Sequence, residues 1–543
     1  MNAPQTSSAS PVLPSRLFGN ERRNSRGVDL ADPTALQDIA ELVRRRGHTY
    51  EAGPLLGGVV RSASAGKARE IRAPADTSDV IGLARDATAE EMHAAFETAA
   101  RAFAKWSELR VDARAEALEC AASLLESSAD GFLALLVREA GKTIPDALAE
   151  VRETIDFCRY YAARARELLA APVQLPGPTG EANLLSLHAR GVFACISPWN
   201  FPLAIFAGQI AAALVCGNTV VAKPAPETPL IAHAFVQLLY EAGIPRSVVQ
   251  LTPAGGAEFA AVAFNHWSLA GVAFTGSTAT ARTINRSLAL RHGALVPLIA
   301  ETGGINAMIV DSTALPEQVV DDVVASAFTS AGQRCSALRM LYLQEETAQR
   351  TIDLLVGAIQ TLRIGDPAAL DTDIGPVISA RAAELLELHA IRMGRDAKLL
   401  YACPLGDMSA RGYFVAPRLF ELRTLDQLDV EAFGPLLHVA RYRTQELPEV
   451  FQAIRATGYG LTLGIQSRRR AFGEAAFRNT IAGNTYVNRN MIGAVVGVQP
   501  FGGSGLSGTG PKAGGPHYLL RFLTERTLTI NTAAIGGDID LIS

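Results

Sequence analysis

A cysteine, a glutamate and an asparagine stand where loops and strand ends would bring them to one crevice. Cys335 lies in Gly332-Gln333-Arg334-Cys335-Ser336, past a helix and before a strand, beside a cation that favours the nucleophilic thiolate. Taken alone, that context suits a buried structural cysteine better, since free cysteine is among the most buried residue types. The other five cysteines, at 120, 158, 195, 216 and 403, take that reading outright. Glu301 ends the uncharged run Gly293–Ala300 and precedes Gly303-Gly304. A carboxylate at a buried strand end has its pKa raised, as a general base near neutral pH requires; a salt bridge at a domain seam is the equal alternative. Asn200 follows Ile196-Ser197-Pro198-Trp199, where its amide can donate to a developing oxyanion or simply cap the next helix. Lys223 and the Thr275-Gly276-Ser277 turn end two further strands, placed either for a ribose or phosphate or for solvent.

Other chemistries leave no trace. The sequence has no GxxxxGK[ST] loop, no HExxH and no GxSxG strand-end elbow. A GxGxxG string at Gly503–Gly508 follows Pro-Phe-Gly, opens no long helix and reads as a flexible glycine loop. The six cysteines form no CxxC and no metal-spaced set with histidine, so no metal is expected and a reduced, cytoplasmic protein is. Fifty basic against fifty-four acidic residues leave −4, which gives no global positive field for nucleic acid or an anionic membrane and points to a small-molecule partner. The start, MNAPQTSSASPV, lacks the basic and apolar runs of a secretory signal. Gly191–Ala222 carries no charge, but Pro198, Asn200, Pro202, Gln209, Gly217 and Asn218 divide it into pieces too short for a bilayer of about 30 Å, so it reads as buried core.

These residues need a scaffold of alternating strands and helices. With 543 residues, 48% apolar and 19% charged, the chain can bury two large α/β units. An amphipathic helix is predicted over Pro33–Arg46 within an N-terminal arm, and Thr88 with Glu91 forms a capping-box signature ahead of several helices running to Ala171. Strands are expected at Val192–Ser197, Thr219–Ala222, Val248–Leu251, Gly271–Phe274 and Val296–Ala300, with helices over Leu203–Val215, Leu230–Ala242 and from Ala279. A second unit follows, with strands Ala307–Val310 and Arg339–Leu343 and helices Pro316–Ala331 and Glu346–Leu362. Strands alternating with crossover helices make doubly wound parallel sheets. Asn183–Ala189 and Leu528–Asn531 alternate as strands of an exposed flap.

In order and spacing, Ile196–Pro202, Lys223-Pro224-Ala225, Phe274–Ser277, Glu301–Gly304, Gly332–Cys335, Glu431–Pro435 and Pro500–Gly503 resemble the aldehyde dehydrogenase superfamily over roughly residues 55 to 535. Leu17-Phe18-Gly19 with Arg22-Arg23-Asn24-Ser25, Cys335–Arg339, and Gly515–Leu519 through Asn531–Ala534 most resemble the glutamate-semialdehyde (pyrroline-5-carboxylate) dehydrogenase module of the bifunctional proline utilization A proteins. Those carry a flavin-dependent proline dehydrogenase barrel ahead of the module. None fits in the fifty-odd residues here, so the chain looks like a lone or excised module, with such a barrel a possible partner.

The resemblance implies an α/β fold with two doubly wound domains and a small oligomerising β-flap. Residues 1–54 would be an arm or linker, 55–178 with 192–300 the dinucleotide-binding domain, 301–514 the catalytic domain, and 179–191 with 515–543 the flap and tail. It further implies NAD-dependent oxidation of L-glutamate γ-semialdehyde to L-glutamate in proline catabolism. Cys335 would form a thioester, Asn200 with the Cys335 N–H would hold the oxyanion, and Glu301 would activate water. Trp199, Lys223, Gly256, Ser277, Glu431 and Phe433 match cofactor positions. Gly493 and Ala494 match a loop whose amides hold the α-carboxylate with Ser336, while Phe201, Phe501 and Glu153 would line the substrate chain. Pro226 stands where the family usually places the acid that takes both ribose hydroxyls; proline cannot make that bond, and Glu227 follows one place later. A homodimer or higher homo-oligomer is implied. The competing readings are a dehydrogenase for another short semialdehyde, separated by the Met491–Val496 loop, and a non-catalytic protein on the same fold.

Overall fold

Short β-branched runs with no charge form strands that are buried on both faces, and this explains the first sheet. The computed structural model describes residues 17–44, 49–57, 59–60, 68–177 and 180–531. Val192–Ile196 and Thr219–Lys223 are buried at every position, as expected when helices cover both sides of a parallel sheet. The sheet has seven strands in the order Leu298–Glu301, Leu269–Thr275, Val192–Ile196, Thr219–Lys223, Val249–Leu251, Leu55–Leu56 and Val59–Val60. The first five are parallel, and the last two are an antiparallel hairpin on one edge.

The chain winds outward through Val192–Ile196, Thr219–Lys223 and Val249–Leu251, then crosses back to place Leu269–Thr275 on the other side of Val192–Ile196. That reversal leaves a crevice at the carboxyl ends of the strands, between the segments carrying Asn200 and Ser277. Ala89–Ser107, Val111–Ser127, Ala129–Ala140 and Ile144–Leu168 are the succession of helices predicted before the sheet. The Thr88 capping box forms, with Glu91 N donating to Thr88 Oγ1 at 3.2 Å and Thr88 N to Glu91 Oε2 at 2.9 Å.

The second sheet also has seven strands: Lys398–Ala402, Arg418–Glu421, Leu436–Tyr442, Met340–Gln344, Ala307–Val310, Thr462–Gln466 and Asn484–Val487. All its pairs are parallel except the edge strand Lys398–Ala402. Leu523–Ile530 pairs antiparallel along all of Ala182–Ala189, with Val173–Leu175 on the other edge, making a separate three-stranded flap. The carboxyl-terminal flap strand is thus twice as long as Leu528–Asn531, and residues 532–534 lie outside the described residues.

Helix ends differ from expectation in places, and the helix expected over Glu346–Leu362 spans Glu345–Gln360. The arm helix spans Pro33–Arg44, and positions 45–46 lie outside the described residues. The helix predicted over Pro316–Ala331 stops at Phe328, because Ser330 and Ala331 adopt left-handed backbone with φ of 58° and 52°. No single described helix is long and apolar enough to cross a membrane, although Val111–Ser127 with Ala129–Ala140 passes by composition as a pair bent by 74°. The uncharged Gly191–Ala222 stretch is divided into strand, helix and strand, nearly all of it buried.

Candidate active site

The crevice at the chain reversal deepens into a cavity of about 450 Å³ reaching the second sheet. Cys335, Glu301 and Asn200 all line it, although they come from three separate segments. Trp199, Ser277, Glu431 and Phe433 line it as well, as do Glu153, Phe201, Ser336, Gly493, Ala494 and Phe501. Lys223 and Gly256 lie outside the cavity lining. Lys223 ends the neighbouring strand, buried, with Nζ donating to Pro224 O at 2.8 Å. Burial brings its pKa down to about 8, against the pull of Glu227, Asp86 and Glu258. Gly256 is exposed at the first turn of helix Gly256–Ala263.

Cys335 sits in a loop fixed from several directions. Gly332 has φ of +67°, and a Cβ there would stand 2.3 Å from Gly434 O, so only glycine fits. Asn306 Nδ2 donates to Cys335 O at 2.6 Å and to Ala337 O at 2.9 Å. Arg339, fully buried, donates to Gly332 O at 2.7 Å, Arg334 O at 3.0 Å and Gly434 O at 3.2 Å. Its guanidinium lies 3.6 Å from Glu431 and 5.2 Å from the centre of the Phe433 ring. One side chain thereby ties the cysteine loop to the Glu431–Gly434 loop.

The neighbouring cation favours thiolate as expected but is outweighed. Arg334 Nη2 is engaged by buried Asp146 Oδ1 at 2.6 Å. Burial, followed by the charges of Glu431, Glu301 and Glu153, pushes the Cys335 thiol up to about 12 despite Arg334. The resting group is a protonated thiol.

Asn200 does not cap the following helix. Glu150 Oε1 takes that role, accepting from Leu203 N at 2.8 Å and Ala204 N at 3.2 Å, while buried Lys142 balances it at 3.0 Å. The Asn200 amide donates to Gln333 O at 3.1 Å, which joins it to the cysteine loop. Glu301 forms no ion pair among the described residues. Its Oε2 receives only a 3.4 Å bond from Gly503 N and its Oε1 has no hydrogen-bond partner. Burial pushes it up to about 8, against the Gly503 bond and the charge of Lys512. The GxGxxG string therefore wraps this carboxylate and opens no helix.

Trp199 and Phe433 meet edge to face at 5.6 Å. Glu431 presses on Gly303, where a Cβ would stand 2.0 Å from its Oε2. Burial raises its pKa, with Arg339 opposing. Ser277 lines the cavity and also caps its helix, accepting from Thr280 N at 3.2 Å. Burial, with Glu150 second, pushes Glu153 up to about 7.

Sequence reading missed part of the wall. Phe157 and Tyr161 line the cavity with Glu153 from successive turns of helix Ile144–Leu168, and Tyr518 closes the same side. The i, i+4, i+8 spacing from Glu153 was the available signal for the first two. Arg339 and Tyr518 lay within the quoted motifs without a role, and nothing local marked Asn306 as a loop anchor.

The profile of the Aldehyde dehydrogenase family matches residues 60–528. The chain is 48% identical over 523 residues to the bifunctional protein PutA of Klebsiella aerogenes, covering 95% of this chain and 39% of that one. It thus spans about two fifths of that relative's length. It is 37% identical over 464 residues to the 1-pyrroline-5-carboxylate dehydrogenase of Geobacillus kaustophilus, covering 84% of this chain and 88% of that one. A solved proline utilization A (PutA) from Bradyrhizobium japonicum superposes with a TM-score of 0.87 at 54% identity, covering 96% of this chain and half of that one. The paired parallel sheets, the cysteine loop between them and the profile match over most of the length make this chain a member of the aldehyde dehydrogenase family.

Proposed function

We propose that this chain oxidises L-glutamate γ-semialdehyde, the open form of pyrroline-5-carboxylate, to L-glutamate with NAD, as a step of proline catabolism. The observation that carries the reading is the shared cavity: Cys335 and Glu301 face one space with Ser336, Gly493 and Ala494. A carboxylate gripped by Ser336 and backbone amides would lay the chain between Phe201 and Phe501 and bring its aldehyde to Cys335. The names of the relatives point the same way.

The chain's own residues divide the work. The Cys335 thiol gives its proton to solvent water as sulfur bonds to the aldehyde carbon, and the Asn200 amide with the Cys335 N–H stabilises the oxyanion. Once a thioester has formed, Glu301 takes a proton from water, which attacks it and releases the acid. NAD, when bound, supplies the hydride acceptor. Glu431, whose Oε1 is a buried acceptor without a hydrogen-bond partner, suits a ribose hydroxyl at the nicotinamide end beside Phe433 and Trp199. Lys223, Gly256 and Ser277, all following strands of the first sheet on the carboxyl-end side, suit the adenosine half. In this reading residues 55–178 and 192–300 bind the dinucleotide, 301–514 carry the nucleophile, and 179–191 with 515–543 mediate a homodimer or larger assembly. A proline dehydrogenase module or partner would supply the substrate. Six free cysteines fit a reducing compartment such as the cytoplasm.

The test is NADH formation with glutamate semialdehyde and with propanal, which lacks the carboxylate. Donors left unpaired cost about 1–3 kcal/mol each, so propanal should have a kcat/KM lower by one to a few powers of ten. Ser336→Ala should narrow the ratio and Cys335→Ala should abolish both activities. Equal wild-type constants would remove the glutamate-semialdehyde assignment.

A further inference from the structure

The family profile begins at residue 60, yet part of the arm before it packs against a helix and a loop that supply cavity-lining residues. Arg22 is almost wholly buried. Its Nη2 donates to Val496 O at 2.8 Å and its Nη1 to Asp156 Oδ1 at 3.4 Å. The Phe18 ring lies 3.6 Å from the guanidinium carbon and the Tyr160 ring 5.5 Å, which holds the fork in one plane. Asp156 is held to the arm again by Ser25, whose N and Oγ donate to it at 2.8 and 2.9 Å.

The two groups that Arg22 bridges belong to two separate segments that supply lining residues of the cavity. Asp156 is on helix Ile144–Leu168, which supplies Glu153, Phe157 and Tyr161. Val496 is two residues beyond Ala494 in the loop that supplies Gly493 and Ala494. On the loop's outer side Val495 and Val498 are both exposed. A second tether comes from the same helix, through Tyr161 OH, which accepts from Gly514 N at 2.9 Å, and Gly514 O, which accepts from Gly497 N at 3.0 Å, while Met491 N at the loop's start donates to Ser326 Oγ at 3.1 Å. Gly497 has φ of +77°, and a Cβ there would stand 3.2 Å from Arg22 Nη2, so the loop's path is fitted to the arginine.

We propose that Arg22 is a positioning residue for substrate choice: through it the N-terminal arm fixes the loop that presents the Gly493 and Ala494 amides to the substrate carboxylate. The inference rests on the reading of that loop as the carboxylate's holder. Arg22 does not line the cavity, so its influence passes through Val496. A substrate without a carboxylate does not use the loop's amides and is indifferent to their placement.

The experiment uses the full chain with glutamate semialdehyde and propanal, comparing wild type with Arg22→Ala, Arg22→Lys and Ser25→Ala. Loss of a charged bond to a buried carbonyl should raise KM for glutamate semialdehyde about tenfold in Arg22→Ala. Its kcat, and kcat/KM for propanal, should change little. Lysine keeps the charge and a donating nitrogen without the fork, so Arg22→Lys should recover part of the loss. Ser25→Ala loosens the arm from the helix but leaves Arg22 on Val496, and should keep the wild-type ratio. A parallel fall for both aldehydes, or an unchanged ratio in the Arg22 variants, overturns the proposal. If Arg22→Ala shows no cooperative melting transition, Arg22→Lys decides by the same criterion. A wild type that treats both aldehydes alike overturns the reading of the site and this proposal with it; discrimination that survives in the Arg22 variants overturns this proposal alone.

Discussion

Glu301 is a carboxyl group that its surroundings keep protonated to a pH well above the usual carboxylate range. With its pKa raised to about 8 by burial, it is mainly the neutral acid at pH 7 and becomes a base as the pH climbs through 8. Water activation needs the base form, so thioester hydrolysis should accelerate with rising pH through about 8 and then level off. Glu301→Gln should remove that limb and slow hydrolysis by about 10²–10⁴-fold, the usual contribution of a positioned general base. Following acyl-enzyme decay against pH checks both statements; a pH limb that persists in the glutamine variant takes the role away from Glu301. The position of this carboxylate at a strand end was legible in the sequence. Its lack of an ion pair was not, since no local pattern records which distant cations fail to reach it.

The loop before Cys335 shows what an element must do for its side chain. Ser330 and Ala331 are left-handed although neither is glycine, and Gly332 follows with a third positive φ. Such backbone costs about 1–3 kcal/mol per residue where it is not glycine, and persists because the surrounding bonds over-determine it. Gly332→Ala should cost at least about 1–3 kcal/mol by denaturant unfolding, through both the positive φ and the clash with Gly434 O, and should depress turnover with every aldehyde. Unchanged stability and turnover would mean that the loop is not held as tightly as its contacts require. Periodicity located the helix ahead of this loop but ran it to Ala331, because serine and alanine carry no sign that they will leave helical geometry. The cap on helix Ala204–Val215 was hidden for a related reason: Glu150 reaches its first turn from another helix, 53 residues away in sequence from Leu203.

For the molecule as a whole, alternation of strand and helix sufficed to foresee two doubly wound sheets, and the chain reversal then fixes where a crevice must open. What alternation cannot foresee is which loops of the second sheet close over that crevice. The flap raises a separate question of assembly. Val173 and Leu528 are 59% and 56% exposed on it, and its edge strand Val173–Leu175 is unpaired on one side among the described residues. An apolar sheet edge of this kind invites pairing with another chain. Light scattering at micromolar concentration should give a mass of at least a dimer; a monomer mass would contradict the assignment of the flap. The cysteine chemistry also depends on the complete fold. The burial that chiefly keeps Cys335 protonated is built where a helix, a strand end of the first sheet and a loop of the second line one cavity. Peroxide and alkylating agents attack thiolate, so the resting sulfur is shielded from them only while those three parts stay assembled, and damage will fall first on molecules that have begun to come apart.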